Sequence, residues 1–173
     1  MMKQRLTWTR LLPSPVVKNL ATLGPLGFWG KAPGTIGSMA GMLWFTTMFL
    51  HLSPFGFLIF LVFTAYLATE ICGEAEDRML KRDPPEIILD EFVAMPLCYL
   101  GLQPYIFAGP AWLYMLAGFI VFRFFDIIKP LGINKLQSLP GGLGIVLDDL
   151  GSAMATCLTL HIGLWGLKSY GII

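Results

Sequence analysis

Two uncharged apolar runs constrain this chain most. Residues 38–53 and 55–72, with Glu70 as the one charge, stand back to back across Ser53-Pro54. Each is close to the length a helix needs to cross lipid, and the proline break between them reads as the turn of a helical hairpin. Composition agrees: of 173 residues 55% are hydrophobic and 13% charged, with mean hydropathy +0.69. That is too apolar for a soluble domain of this size. The predicted fold class is therefore all-α: a polytopic integral membrane helical bundle of about four to five spans, folded as a single domain over residues 1–173.

Three further segments complete the expected set. Residues 86–103 have a polar start and an apolar end, 105–124 carry Pro110 near their start, and 145–167 form the last span. Residues 73–85, GEAEDRMLKRDPP, read as a charged loop. Residues 19–38 are rich in Gly and Pro, which predicts a short helix, a loop and a new helix from Thr35 or Ser38. Residues 1–18, with Lys3, Arg5, Arg10 and Lys18, read as a basic N-terminal arm on lipid headgroups. They lack the apolar core of a cleavable signal peptide.

Charge sets the orientation. If five spans alternate, eleven of the twelve Lys and Arg residues and all eleven acidic residues fall on one face. By the positive-inside rule that face is cytoplasmic. Ionic chemistry is confined to it, because the other face is almost uncharged. A net charge of +1 argues against nucleic acid as a partner. Cys72, Cys98 and Cys157 lack metal-binding spacing and read as small packing residues.

The stretch 123–149 concentrates the chemistry. Arg123, Asp126 and Lys129 recur at three-residue steps, near one another on a helix that Pro130 must stop. The stretch ends in Gly141-Gly142-Leu143-Gly144 and the pair Asp148-Asp149. Asp90-Glu91 is a second acidic pair in a similar position. Adjacent carboxylates beside lipid are costly unless a cation lies between them, and hard divalent cations prefer carboxylate oxygens. Neighbours on a helix point about 100° apart, so each pair offers one ligand to a central ion and one to a second ion or an outer layer. Asp90, Glu91, Asp126, Asp148 and Asp149 around one or two magnesium ions would make a site for phosphate oxygens, with Arg123 and Lys129 as positive partners. The plainer alternative is water-exposed helix ends in ordinary ion pairs. Two acidic pairs and the Arg-Asp-Lys series on one face favour function.

Gly30 to Ser38 can bring backbone N–H groups, a helix N-terminus and the hydroxyls of Thr35 and Ser38 to an anion. A helix cap with a tight turn explains the same residues equally well. Gly141–Gly144 poses the same choice between an anion nest and a turn. Other motifs are set aside. Cys72 and Arg78 have the spacing of cysteine phosphatases, but Glu74, Glu76 and Asp77 between them would repel phosphate. His51 and His161 fall in the outer parts of spans, and no Asp-x-Asp-x-Thr occurs.

Four blocks together resemble the phosphatidylglycerophosphatase A family: PGTIGS (33–38), DPPEIILDEF (83–92), FRFFDIIKP (122–130) and GGLGIVLDD (141–149). The resemblance implies a magnesium-dependent phosphatase of the bacterial inner membrane, active site facing the cytoplasm. It would convert phosphatidylglycerophosphate to phosphatidylglycerol and phosphate in phospholipid biosynthesis. On that reading Asp90, Glu91, Asp126, Asp148 and Asp149 hold Mg2+, and the four aspartates are catalytic. Arg123 and Lys129 offset phosphate charge, and Thr35, Gly37 and Ser38 orient the headgroup. Pro140 stands where some members of the family carry His. The expected partners are the lipid bilayer and the lipid substrate, with self-association left open. The preferred mechanism is in-line attack by a metal-activated water, with a phospho-aspartate as the alternative. A transporter would need charges at mid-membrane, and a headgroup transferase would show Asp-Gly-x-x-Ala-Arg, which is absent.

Overall fold

The computed structural model describes residues 8–171, and among them every regular element is helical. A 3-10 turn, Trp8–Leu11, leads into helix α1, Ser14–Ala21. Lys3 and Arg5 of the expected arm lie outside the described residues. The rest of the arm is not loose on the surface. Arg78 donates to the carbonyls of Leu12 (2.8 Å) and Thr9 (3.2 Å), and Val17 and Ala21 are buried against Ala68, Ile71 and Ala75.

Helix α2, Pro33–Trp44, begins two residues ahead of the predicted Thr35. Proline suits a first helical position, where its missing N–H has no partner to lose. The helix continues into a π turn, Phe45–Phe49. Helix α3, Pro54–Met79, is capped by the Ser53 hydroxyl, which accepts from the Gly56 N–H at 3.2 Å. The predicted loop from residue 73 is thus helical up to Met79. Arg78 pairs with Glu74 one turn back at 2.7 Å, which favours helix there, and left-handed Leu80 ends it.

The predicted helix 86–103 is broken. Helix α4 covers only Leu89–Ala94, then tightens to a 3-10 segment, Met95–Tyr99, at Pro96. This segment is buried through Met95, Cys98 and Tyr99, and the Tyr99 hydroxyl donates to the Met115 carbonyl at 2.8 Å. Helix α5, Gln103–Ala108, ends at Gly109-Pro110, and helix α6, Ala111–Ile128, follows. Helix α7, Gly142–Ser169, closes the fold.

Among the described residues three helices, α3, α6 and α7, are long and apolar enough to cross a membrane. The remaining two predicted spans fall short because the π turn and Pro96 interrupt regular helix. The long helices expose large apolar side chains outward, such as Val62 (67%), Trp112 (68%) and Ile162 (68%), as a lipid-facing surface does. Helices α3 and α7 cross closely where Gly73 meets Gly142. A Cβ on Gly73 would stand 2.8 Å from the Gly142 nitrogen, and one on Gly142 would strike the Thr69 carbonyl. This crossing brings the start of α7, with its two aspartates, beside the C-terminal end of α3.

Candidate active site

Three helices deliver charge to one place. The Ile88 N–H donates to the Ala21 carbonyl at 3.0 Å, which fixes the entry to α4 and puts Asp90 and Glu91 in its first turn. Helix α7 carries Asp148 and Asp149 two turns from its start. Helix α6 brings Arg123 and Asp126 in its last turns and ends at Lys129, left-handed at φ 48°, immediately before Pro130. All seven side chains line a single cavity of about 290 Å³, with Gly34, Asp83 and Pro84 completing its wall.

One oxygen from each of Asp90, Glu91 and Asp149 lies within 4.8 Å of the other two, the spacing of a cation site. Asp90 Oδ1 and Glu91 Oε2 are buried and have no hydrogen-bond partner. Buried carboxylate oxygens without donors call for a compensating charge, and a cluster of three carboxylates that includes two of them has the donor chemistry of a magnesium site. Asp148 is only 2% exposed and serves differently: its carboxylate accepts from the Lys129 ammonium. Adjacent aspartates of one helix thus face different partners, as their angular separation requires.

Arg123 sits between these groups. Its Nη1 contacts Asp126 Oδ2 at 2.5 Å, Ser38 Oγ at 3.3 Å and Glu91 Oε1 at 3.9 Å. The Ser38 hydroxyl donates to the Gly34 carbonyl at 2.8 Å, so its oxygen is turned toward Arg123. Gly34 is small for a reason, since a Cβ there would collide with the Glu91 carboxylate.

The electrostatics follow from burial. Burial pushes the Asp90 carboxyl well above the usual carboxylate range, and the charges of Glu91 and Asp149 push it further. Glu91 is raised for the same first reason, although Asp90 and Arg123 pull it partly back. Burial works against the charge on Lys129, but the hydrogen bond to Asp148 and the nearby carboxylates outweigh it and raise its pKa. Lys129 is therefore an ammonium at neutral pH. The lining carries six carboxylates against two cations, an excess of four negative charges once all six are ionised. A phosphate group would be repelled from such a cavity unless cations entered with it.

The structure thus gathers Asp90, Glu91, Asp126, Asp148, Asp149, Arg123 and Lys129, and brings Ser38 in through Arg123. Thr35 does not line the cavity. Gly37 packs against α4: a Cβ there would lie 2.9 Å from both Ile88 Cβ and the Ile88 carbonyl. Its place is a close helix contact, with the same Cβ position 3.5 Å from Glu91 Oε2. Gly141, Gly142 and Leu143 line a second, larger cavity of about 920 Å³ instead. Two wall residues, Gly34 and Asp83, were missed by sequence reasoning, although both lie inside the quoted blocks. Cys72 is buried and Arg78 is occupied by Glu74 and backbone carbonyls, so no cysteine-phosphatase loop forms. His161 Nε2 donates to the Leu100 carbonyl, 2.9 Å away, far along α7 from the aspartates.

The family model for phosphatidylglycerophosphatase A matches residues 19–164, which include every residue of the smaller cavity. The chain belongs to the phosphatidylglycerophosphatase A family. A phosphatidylglycerophosphatase A of Haemophilus influenzae is 34% identical over 165 residues, covering 87% of this chain and 96% of the relative. That of Escherichia coli is 29% identical over 120 residues, covering 68% and 66%. A Bacteroides thetaiotaomicron protein, whose name proposes phosphatidylinositol-3-phosphatase activity, is 29% identical over 145 residues, covering 80% and 87%. No solved structure matches. As a member of this family the chain is a phosphatase, a phosphoric monoester hydrolase.

Proposed function

We propose that this phosphatase hydrolyses the terminal phosphomonoester of phosphatidylglycerophosphate, with Mg2+ held by Asp90, Glu91 and Asp149, at the cytoplasmic face of a bacterial inner membrane. The observation that carries the reading is the three-oxygen cluster with two unpartnered buried carboxylate oxygens, set beside Arg123 and Lys129. Family membership and the Haemophilus relative support the substrate.

When bound, the cation supplies Lewis acidity toward phosphoryl oxygens and toward water. The protein supplies the rest. Arg123, aimed by Asp126 and Ser38, donates to a phosphoryl oxygen. Lys129, anchored by Asp148, holds a second positive charge at a fixed place. A water attacks phosphorus in line as the bond to the glycerol oxygen breaks. Asp126, which lines the cavity outside the three-oxygen cluster, takes the water's proton, and the departing glycerol oxygen takes a proton from solvent.

The orientation rests on charge. All five carboxylates and both cations lie at one end of the long helices, whereas Lys168 is the single basic residue near the other. The rod from Pro33 to Phe49 is proposed as a fourth crossing, about 25 Å by helical rise.

The test is phosphate release by purified protein from phosphatidylglycerophosphate, phosphatidic acid and a soluble phosphomonoester, each with Mg2+ and with chelator. The expected result is fast, Mg2+-dependent release from phosphatidylglycerophosphate. Undiminished release in chelator would overturn the metal, and preference for the soluble ester would overturn the lipid substrate.

A further inference from the structure

The two cavities adjoin, and Asp83 lines both. Asp83 is also held in an unusual way. Its backbone is left-handed at φ 47°, a costly conformation for a residue with a side chain. Two neighbours fix it there. Its N–H donates to Glu76 Oε1 at 2.9 Å, and the Gln137 amide donates to its carboxylate. Arg82 in turn donates to the Gln137 carbonyl at 3.2 Å, which fastens this loop to the 3-10 segment Ile133–Ser138. A half-buried carboxylate is thus held, at the cost of backbone strain, on the wall that the two cavities share.

We infer that Asp83 is a specificity-determining residue that accepts a hydrogen bond from the headgroup hydroxyl next to the scissile phosphate ester. The inference rests on the substrate proposed above. A phosphate bound at the smaller cavity leaves the remainder of the headgroup to continue into the adjoining space. The ester linkage must then pass Asp83. The first polar group beyond it in a glycerol headgroup is the secondary hydroxyl on the neighbouring carbon. A carboxylate is a strong acceptor for that O–H. The larger cavity can take the rest of the headgroup: Glu70, Glu76 and Asp77 offer acceptors to hydroxyls, and Arg10, Lys81 and Arg82 offer positive charge to the phosphodiester that follows. A lipid whose phosphate is attached directly to diacylglycerol has no hydroxyl at this place.

The test compares phosphatidylglycerophosphate with an analogue whose headgroup secondary hydroxyl is replaced by hydrogen. Values of kcat/KM are measured at saturating Mg2+ for the wild type, Asp83→Ala and Gln137→Leu. The wild type is expected to prefer the hydroxylated lipid by about 10- to 100-fold, the range of a hydrogen bond to a charged group. Asp83→Ala should treat the two lipids alike. Gln137→Leu, which keeps the carboxylate but frees it, should narrow the preference, and this serves even where the Asp83 variant does not fold. A wild type without preference, or an Asp83 variant that loses both lipids equally, overturns the inference and leaves the proposed substrate standing. A wild type inactive on phosphatidylglycerophosphate removes the substrate and the inference together.

Discussion

Lys129 donates to Asp148 across the junction of α6 and α7, nineteen residues apart in sequence. Lys129 ends its helix in a left-handed turn, and Asp148 is almost wholly enclosed. Removing the lysine alone leaves a buried carboxylate without its partner. Lys129→Met should therefore lower stability by about 3 kcal/mol, read as a lower unfolding midpoint in detergent. Adding Asp148→Asn should recover most of that stability and none of the phosphatase activity. A double variant as unstable as the single would show that the pair is not the cause.

The two aspartates of α7 should separate under metal titration. Asp149 contributes to the three-oxygen cluster and Asp148 does not. Asp149→Asn should weaken Mg2+ or Mn2+ binding by about 10-fold or more, followed by calorimetry. Asp148→Asn should retain near-normal metal affinity while losing activity. Equal loss of affinity in both would assign Asp148 to the metal as well.

Stability without metal should fall as pH rises. The folded-state pKa of Asp90 and Glu91 is raised, so the folded protein binds more protons than the unfolded chain above the ordinary carboxylate pKa of about 4. The loss begins there and continues until pH has passed the raised values. Added Mg2+ competes with those protons and should remove the decline at neutral pH. A chelated protein with the same unfolding temperature at pH 5 and pH 8 would contradict the ionised cluster.

Glycines on two helices should respond differently to alanine. A Cβ on Gly41 would lie 2.6 Å from the Phe92 carbonyl and 2.7 Å from Met95 Cβ, so α2 and α4 must separate. Gly41→Ala should cost about 1–3 kcal/mol by overpacking and displace the helix that carries Asp90. Gly163 has open space around it, and Gly163→Ala should leave both the unfolding midpoint and the activity intact.

Much of the site was legible because charge is so scarce in this chain. Asp90-Glu91 and Asp148-Asp149 stand out against apolar surroundings, and lipid makes such residues costly to keep without a use. The roles within the pairs were not legible. Asp148 and Asp149 are equivalent as letters, and only the path of α6 decides that Lys129 reaches one of them. Thr35 and Gly37 had the right composition for an anion cradle, but the helix begins early at Pro33 and turns Gly37 toward Ile88. Asp83 was hidden in a segment read as a charged loop, since neither Glu76 nor Gln137 is near it in sequence.

Sequence alone determined an all-helical chain with helices apolar enough to cross a membrane, the end at which its charges gather, and its family blocks. Those features are local: hydrophobic runs, proline breaks and charge placement act over a few turns. Which predicted spans stay unbroken, which oxygens share a cation and which carboxylate faces both cavities were decided by tertiary structure. They depend on distances between helices far apart in the chain, set by close glycine contacts and by strained turns at Asp83 and Lys129.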